Sequence, residues 1–587
     1  MKKLLLFIIL FLPINALAGD INYKMINSTG PYTIWTSAES IPSKGSTYTD
    51  TNANTTGQRM TNYSSDLSGS FGMVIEYTFY SASSDNNHFI VQNLANIQAG
   101  GKYYLYTTTS ATPTLMFSPD DYIAADTGCS YTQPEYRWDT SGNYPNRLYY
   151  RAIAQLRYLD ISDRTDHLLH DFKTEYPSAH HVMSGDEGAP SEDCNRWAFM
   201  ICTADSSNGQ PNRVICYDKP SDSVISSLAW TDNGLNNVYE SKSGKYTIAS
   251  TNNYTPENAF NNTTIFISTS MSSSNFRTAC QMSVHMAPAY DKQGNEVLVL
   301  LGGHYSMGGS DNDYADYVMF VRMDTGYAYP LFYQGDLVGN DAGWNYNCQF
   351  HAPGLAKKGW CFSNSYELVG DPTEWSYNQL FAFELDETKT VNTNPSNRIW
   401  RVAAAQNICN SSYYYNQPNA SITNDGTYLY WGNDWRNSTG HMDVFRIQMP
   451  TNWYSDLGGT VSVDASSPTT SGWYPAKSAT NVVIGSSVAV TISDTGNGVD
   501  ISQCSLSVGG STFYSGSYTD NVSTSGSAAA YTIRYVPPSS FAYSTQINVV
   551  VNAKDLTSPA NTMAKESYSF TTQDAPAQIY RTLWTNH

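Results

Sequence analysis

The most informative part of this sequence is Gln417-Pro-Asn-Ala-Ser-Ile-Thr-Asn-Asp-Gly-Thr-Tyr-Leu-Tyr-Trp-Gly-Asn-Asp-Trp435, followed by Met442-Asp-Val-Phe-Arg-Ile-Gln-Met449. It predicts a proline-led loop, a short strand, an Asp425-Gly426 turn, a second strand over 427–431 and, after a wider loop, a third strand. Asp-Gly between two alternating apolar runs is the strongest short-range signal for a β-hairpin. One such unit cannot bury both of its faces, so repeated copies are expected to pack face to face around an axis.

Variants of this unit recur upstream, each led by a proline. The leading residues are Pro134, Pro190, Pro288, Pro353 and Pro418. The longest gap is 98 residues (288 − 190), while a four-stranded blade takes roughly 40–50 residues. That gap can hold one more unit, with strands at 245–249 and 264–268. We therefore predict an all-β chain with a seven-bladed β-propeller over residues 19–455, and six blades with a long insertion as the alternative.

The two ends of this region carry further expectations. Residues 19–70 are rich in Ser, Thr, Asn and Gly, and could supply an N-terminal strand that closes the ring against the last blade. We interpret Trp453 to Gly459 as a linker. From Val461 the composition shifts to short alternating strands separated by Gly, Pro, Asn and Asp, which indicates a β-sandwich over 461–574. Residues 575–587 form a tail.

Residues 1–18 are typical of a secretory signal peptide. Lys2 and Lys3 provide the charged start, an apolar run extends from Leu4 to Leu17, and Ala16-Leu17-Ala18 offers small residues at the cleavage site. No later stretch approaches the roughly 18–20 apolar residues that span a bilayer. We expect a protein that is secreted or held at the cell surface, without a transmembrane segment.

The charge of the chain narrows the class of partner. Its formal net charge is −19 at pH 7, which disfavours nucleic acid and, unless a local basic or metal-bearing site overrides it, polyanionic glycans. The sequence leaves the oligomeric state open.

Nine cysteines in an exported chain suggest disulfides, with at least one thiol left over. We expect bridges between Cys202 and Cys216 and between Cys348 and Cys361, because each pair flanks a predicted hairpin. Cys504 is expected to be a buried thiol.

The candidate ligand-binding positions lie where predicted blades begin. In a propeller the innermost strand of each blade lines a central channel, so residues just before those strands gather on one face. At these places stand His180, His181, Glu187, His285, His351 and Gln417. The chain has only ten histidines. The set can form a ligand or metal site, or the histidines can simply bond neighbouring loops.

Two resemblances follow from the motifs. Residues 418–435, with Glu187-Gly-Ala-Pro-Ser-Glu-Asp193 and Trp197-Ala-Phe199, resemble the secreted TolB and oligogalacturonate-lyase propellers. That resemblance implies a divalent metal of undetermined identity held by His285, His351 and Gln417. The segments Asp494–Asp500, Tyr535–Pro538 and Ser567–Thr572 are similar to bacterial immunoglobulin-like modules, which usually act as spacers or stalks.

The stretch from His285 to His304 is similar to the paired histidines of propeller-type ulvan lyases. Lyase chemistry needs a base, an acid and a group that neutralises the uronate carboxylate. The resemblance implies His285, paired with His304, as the base, Tyr305 as the acid, and Arg322 or a metal as the neutralising group. The overall acidity of the chain speaks against polyanion capture.

Aromatic residues in predicted loops suggest sugar binding, because flat rings stack on sugar faces. The candidates are Trp344, Tyr413, Tyr414 and Tyr415. We predict recognition of an extracellular glycan or cell-surface component through the channel-face loops. A polysaccharide lyase using the histidine site is the first alternative, and a structural surface or filament component is the second.

Overall fold

The computed structural model describes residues 25–26, 40–50, 53, 55–67, 72–75, 80–93, 102–124, 134–185, 188–203, 211–230, 235–251, 263–268, 277–281, 286–301, 317–333, 349–365, 378–390, 398–407, 417–435, 442–459, 466–494, 498–514, 521–527, 530–556 and 561–576. The chain divides into two compact units, Met1–Thr460 and Val461–His587.

The first unit is built from antiparallel sheets that follow one another along the chain. Three N-terminal strands come first: β1 (Met25–Ile26), β2 (Thr47–Asp50) and β3 (Thr55–Arg59). A four-residue helix follows, α1 (Tyr63–Asp66).

Sheets 1 to 4 each contain four consecutive strands. Sheet 1 is β4 (Met73–Val74), β5 (His88–Asn93), β6 (Tyr103–Thr107) and β7 (Thr114–Phe117). Sheet 2 is β8 (Arg137–Trp138), β9 (Arg147–Ala152), β10 (Gln155–Asp160) and β11 (Thr165–Asp171). Sheet 3 is β12 (His181–Met183), β13 (Arg196–Cys202), β14 (Pro211–Asp218) and β15 (Ser223–Ala229). Sheet 4 is β16 (Leu235–Glu240), β17 (Tyr246–Thr251), β18 (Thr263–Ser268) and β19 (Arg277–Gln281).

Sheets 5 to 7 continue the series. Sheet 5 is β20 (Ala287–Tyr290), β21 (Glu296–Leu301), β22 (Tyr317–Arg322) and β23 (Ala328–Tyr333). Sheet 6 is β24 (Gln349–His351), β25 (Trp360–Asn364), β26 (Gln379–Glu384) and β27 (Ile399–Ala404), extended by β1. Sheet 7 is β28 (Ser421–Ile422), β29 (Tyr428–Asn433) and β30 (Asp443–Gln448), extended by β3 and β2.

The described sheets of this unit form a closed ring, the arrangement of a β-propeller. Apolar clusters lie between successive sheets, for example between sheets 5 and 6 and between sheets 6 and 7. The ring closes where Phe89 of sheet 1 packs against Tyr430 of sheet 7, with ring centroids 5.6 Å apart. β3 pairs with β30, so an N-terminal strand joins the last sheet, as the sequence predicted. The Asp425-Gly426 hairpin between β28 and β29 is confirmed as well, with Gly426 at φ 70°.

Burial along the strands explains their composition. In β21 and β22 every interior residue is buried, because neighbouring sheets cover both faces of the strand. The sequences of strands covered on both faces are continuous apolar runs, for example Val297-Leu-Val-Leu300. The outermost strand β15 has one covered face, and its burial alternates residue by residue.

The second unit has two four-stranded antiparallel sheets. Sheet 8 has the order β31 (Thr469–Tyr474), β32 (Val488–Ser493), β36 (Ala530–Tyr535) and β35 (Val522–Ser527). Sheet 9 has the order β34 (Ser511–Tyr514), β33 (Ser505–Val508), β37 (Gln546–Asn552) and β38 (Glu566–Thr571). Burial alternates along β32 and β37, and the inward residues share one apolar cluster.

The segment interpreted as a linker is a packed element instead. Trp453–Asp456 forms a four-residue helix, α2, and Trp453 is only 2% exposed. Its ring packs against Trp360, Phe362 and Trp400, and its indole N–H donates to the Gly426 carbonyl oxygen at 2.9 Å. Short 3₁₀ turns lie at Pro119–Asp121, Leu355–Lys357 and Ile501–Gln503. The described α-helices, of four residues each, are too short to cross a bilayer.

The disulfide between Cys202 and Cys216 is not formed. Cys216 on β14 is opposite Ala198, whereas Cys202 on β13 is opposite Pro211. Four residues of strand separate the two positions, about 13 Å, and a bridge needs Cα atoms within about 7 Å. Cys361 carries a thiol, which donates to the His351 carbonyl oxygen at 3.6 Å, so its predicted bridge is also wrong. Cys348 lies outside the described residues. Cys504 is a buried thiol, as expected.

Candidate functional site

The turn between the first and second strands repeats from sheet to sheet. Hydroxyl oxygens of Ser83, Ser191, Ser241 and Thr423 each accept the backbone N–H five residues later, at 2.9–3.1 Å. In sheets 2 and 5 the carboxylates of Asp139 and Asp291 occupy the same place in the turn. These local bonds hold the six turns in similar shapes.

The residue that follows the anchoring side chain therefore occupies an equivalent position in these six sheets. We call these residues the turn ring: Ser84, Thr140, Glu192, Lys242, Lys292 and Asn424. Because equivalent positions of a propeller lie at one end of its axis, residues far apart in sequence can meet here.

Glu192 is the most connected member of the turn ring. Its backbone N–H donates to the Lys242 carbonyl oxygen at 2.7 Å, and its own carbonyl oxygen accepts from the Thr140 hydroxyl at 2.7 Å. Its carboxylate accepts the N–H of Leu355 at 3.2 Å and the amide of Asn424 at 3.4 Å. One side chain of sheet 3 thus reaches sheets 6 and 7 across the channel.

The position of Gly354 must be occupied by a residue without a side chain, because the carboxylate of Glu192 lies against it. A Cβ atom on Gly354 would overlap with Oε1 of Glu192. The absence of a side chain at this position lets the 3₁₀ turn beginning at Leu355 present its N–H to the carboxylate.

Lys242 lies in the same part of the channel and is only 9% exposed. Its ammonium group donates to the hydroxyl of Tyr80 in sheet 1 and, at 3.1 Å, to the Ala352 carbonyl oxygen in sheet 6. It also lies 4.7 Å from the centroid of the Tyr80 ring. Among the described residues Lys242 forms no ion pair, so its charge is held by neutral acceptors.

His351 packs beside these groups. Its ring meets the Tyr80 ring edge-on, with centroids 4.7 Å apart, and its Nδ1 accepts the N–H of Ile422 at 3.1 Å. An Nδ1 that accepts a hydrogen bond is unprotonated, which fixes a neutral ring as the Nε2–H tautomer. His351 is the last residue of β24, so it lies at the end of the innermost strand of sheet 6, whereas the sequence had suggested a place before that strand.

A cavity of about 50 Å³ lies among these residues. Nine of the side chains that line it bear polar or aromatic groups: Tyr80, Arg137, Trp138, Thr140, Glu192, Tyr239, Glu240, Lys242 and His351. A cavity needs only about 10–15 Å³ to hold a water molecule, whereas pockets for drug-sized ligands measure roughly 300–1,000 Å³. The cavity suits a few waters or a small ion.

Burial shifts the pKa values of the lining groups. It lowers the pKa of Lys242 to about 8, against the opposing attraction of Glu192. Burial and the nearby Lys242 charge lower the pKa of His351 well below its usual value, so the ring is neutral. Burial raises the pKa of Glu192, and it raises that of Glu240 to about 8. Such perturbed groups in one cavity are typical of functional sites, and also of buried structural networks.

The predicted histidine pair of sheet 3 lies at the opposite end of its strand. His181 begins β12 and is 2% exposed, and its ring lies edge-on to that of half-buried His180, with centroids 5.8 Å apart. Neither histidine lines the cavity.

Arg322, predicted to neutralise a uronate, ends the third strand of sheet 5. Its guanidinium donates to Asp324 at 2.6 Å and to Glu387 at 3.3 Å. Two carboxylates engage this cation, and it does not line the channel cavity.

The predicted metal ligands can be examined only in part. Gln417 is buried, and its Oε1 already accepts the amide of Gln349 at 3.0 Å. His351 lies beside the Lys242 ammonium, whose charge repels a cation. No group of three His, Cys, Asp or Glu suited to a metal occurs among the described residues. Because His285 lies outside the described residues, the divalent metal stays a prediction.

The other predicted site residues lie outside the part of the chain that the structure describes. They are Glu187, His285, His304, Tyr305, Trp344, Tyr413, Tyr414 and Tyr415.

Sequence reasoning missed Tyr80, Glu192 and Lys242. The signal for Glu192 and Lys242 was the turn repeat itself. Ser191-Glu-Asp193, Ser241-Lys-Ser243 and Thr423-Asn-Asp425 align once the anchoring hydroxyls are recognised, and the middle residue is then the one that faces the axis.

The sheet ring places this chain in the class of β-propeller proteins. No protein-family model matches it, and no curated protein matches it. Among solved structures it is similar to the C-terminal WD40 domain of Sif2, with 10% identity, a TM-score of 0.32 and coverage of 64% of this chain and 81% of that one. It is also similar to the β-propeller domain of Myceliophteria thermophila Cps50 (Swd1), with 8% identity, a TM-score of 0.27 and coverage of 49% and 80%. At these values the likeness supports no argument about function.

Proposed function

We propose that this protein is an exported binding scaffold. Its propeller would recognise an extracellular partner, a neutral or basic glycan or another surface component, through loops around the channel faces. In this proposal residues 1–18 direct export, and the seven described sheets of the first unit are seven blades. Residues 461–574 form an immunoglobulin-like spacer.

One observation carries the proposal: side chains from opposite sides of the ring fill the described end of the channel. Glu192 bonds Leu355 across it, and Lys242 bonds Tyr80 and Ala352. The cavity that remains, of about 50 Å³, is too small for a sugar ring. The filled cavity favours surface loops as the place where a ligand of glycan size binds, and it favours recognition over chemistry inside this cavity.

The charge distribution favours a partner that is not acidic. The chain has 51 acidic and 32 basic side chains. Several described cations are already engaged by carboxylates, including Arg322, Arg59, Lys292 and Arg398. An acidic surface repels uronate polymers unless a local cationic site compensates, so no observation favours the lyase alternative.

A glycan array containing neutral, amino and acidic glycans tests this function. We expect binding to neutral or amino sugars, and loss of that binding in Trp344→Ala or Tyr414→Ala. Tyr327→Ala is a suitable control, because Tyr327 is an exposed aromatic residue, 65% accessible, next to β23 and away from the channel cavity.

Two outcomes would contradict the proposal. Silence across the array would favour a structural surface or filament component. Rising ultraviolet absorbance from unsaturated products, on incubation with uronate polysaccharides with or without divalent metal, would establish the lyase instead.

A further inference from the structure

The turn between the first and second strands of sheet 2 carries an exposed aromatic ring. This turn joins β8 to β9 and spans residues 139–146. It contains Tyr144, which is 48% exposed, and Thr140, the member of the turn ring in this sheet. Tyr144 therefore belongs to a loop on a channel face, the kind of loop to which the proposed function assigns recognition.

The Tyr144 ring is supported from one side. The guanidinium carbon of Arg147 lies 3.8 Å from the centroid of the Tyr144 ring and 4.1 Å from that of Tyr158. Tyr158 in turn stacks on His167, with ring centroids 4.6 Å apart and planes inclined by 15°. The backbone N–H of Arg147 also donates to the Tyr144 carbonyl oxygen at 3.0 Å. A ring held in this way loses little conformational freedom when a ligand binds.

The charged side chains around this ring are balanced. Lys219 donates to the Tyr149 hydroxyl at 2.9 Å, and that hydroxyl donates to Asp139 at 2.9 Å. Arg147 lies opposite Asp160 in strand register, and Asp139 also attracts it. Two cations thus stand against two carboxylates, so this surface offers no net charge to a ligand.

The size of the exposed apolar area favours a sugar over a protein partner. The residues before Tyr144 in the turn are Ser141-Gly-Asn143, which are small or polar. One aromatic side chain buries about 150–250 Å², whereas a stable protein interface buries roughly 1,200–2,000 Å² in total. A single flat ring matches the apolar face of one sugar ring.

We propose that Tyr144 stacks on a sugar ring of a neutral glycan. This inference rests on the proposed function. It narrows the partner from neutral or basic glycans to neutral ones, and it assigns one contact residue on the turn face.

Isothermal titration of the full chain with cellohexaose, mannohexaose and xylohexaose tests the inference. We expect at least one of these neutral hexasaccharides to bind. Tyr144→Ala should weaken that binding by about threefold to tenfold, the loss expected for one aromatic stacking contact. Tyr144→Phe keeps the ring and should retain most of the affinity.

Tyr327→Ala is the matched control. Tyr327 is also an exposed aromatic residue, 65% accessible, but it lies next to β23 in sheet 5. Its replacement should leave the affinity unchanged. A hexasaccharide that binds the unaltered protein and Tyr144→Ala equally would overturn this inference and leave the proposed function standing. No binding of any glycan, here or on the array, would overturn both, and binding of amino sugars alone would overturn only the neutral class.

Oxidation by hydroxyl radicals, read by mass spectrometry, provides a second measurement that needs no variant. In the unaltered protein the bound hexasaccharide should protect Tyr144 and leave the oxidation of Tyr327 unchanged. Equal oxidation of Tyr144 with and without the hexasaccharide would overturn the inference, even if Tyr144→Ala weakens binding, because the ring would then act without touching the sugar.

Discussion

The carboxylate of Glu192 in sheet 3 accepts the backbone N–H of Leu355 in sheet 6, with both oxygens 3.2 Å from the nitrogen. The two residues are 163 positions apart and lie on opposite sides of the ring. This hydrogen bond crosses the channel at the end where the turns between first and second strands lie.

Glu192→Ala should lower the free energy of unfolding by about 1–3 kcal/mol, because it leaves the backbone N–H of Leu355 without its acceptor and removes one of the two acceptors of the Asn424 amide. Urea unfolding followed by tryptophan fluorescence measures this. Glu192→Gln keeps one acceptor oxygen and should lose less. Equal losses in the two variants would show that the oxygen is not the stabilising group.

Gly354→Ala should cost about 1–3 kcal/mol, because its Cβ would overlap with Oε1 of Glu192. The cost should shrink when Glu192→Ala is present, since the overlapping atom is gone. A double-mutant cycle in urea measures this coupling. Additive losses would contradict the overlap.

The ring closure depends on a buried ion pair. Arg59, the last residue of β3, donates to Asp443 of β30 at 2.6 Å. Asp443 also accepts from the Thr61 hydroxyl and the Tyr63 N–H. Asp443→Ala should destabilise the first unit by about 3–5 kcal/mol, because it leaves a buried guanidinium unpaired. Arg59→Met combined with Asp443→Leu should recover part of the loss. A double variant with a lower free energy of unfolding in urea than Asp443→Ala would refute this account.

We expect the free energy of unfolding to fall in acid because the carboxylate of Glu384 becomes protonated. Burial alone would raise the pKa of this carboxyl, but hydrogen bonds from Arg398, Lys389 and Lys292 outweigh burial and lower it to about 2. A carboxyl with a lowered pKa stabilises the fold above its unfolded value of 4.5, and that contribution disappears as the pH falls toward 2. The full contribution is roughly 3 kcal/mol.

The measurement is urea unfolding at several pH values between 2 and 6. Glu384→Gln should be less stable at pH 6 and show a flatter fall in acid than the unaltered protein. A parallel fall in both proteins would exclude Glu384 as the responsible group.

The cysteines of sheet 3 should be reduced. Unfolding without reductant in the presence of an alkylating reagent should modify both Cys202 and Cys216, because their register on β13 and β14 prevents a bridge. Mass spectrometry of the peptides measures the modification. Peptides joined through these two residues would contradict the strand register.

Much of the ring could be predicted because its signals are local. The Asp425-Gly426 hairpin, the strands at 245–249 and 264–268, and the continuous apolar run of β21 are each specified within a few residues. Closure by an N-terminal strand followed from the need to cover the last sheet. The prediction of a linker at Trp453 was wrong because Trp453 packs against Trp360 and Trp400 of sheet 6. The residues adjacent to Trp453 in the sequence give no sign of these distant partners.

The candidate site was harder to predict because its members have no local signature. Histidine scarcity drew attention to His351, which does line the cavity, but the same reasoning selected His180 and His181 at the other end of a strand. Lys242 and Glu192 sit in ordinary polar turns. Only their hydrogen bonds to other sheets, Glu192 to Leu355 and Lys242 to Tyr80 and Ala352, show that these two side chains face the axis.

Pairing of β3 with β30 has a consequence for biogenesis. Arg59 and Asp443 are 384 positions apart, so the β2–β3 hairpin lacks its partner β30 until nearly all of the propeller has been synthesised. Contacts of such long sequence separation form slowly, and until then exposed strand edges invite aggregation. A chain that stops before residue 443 cannot complete its last sheet, so closure of the ring is a late step of synthesis.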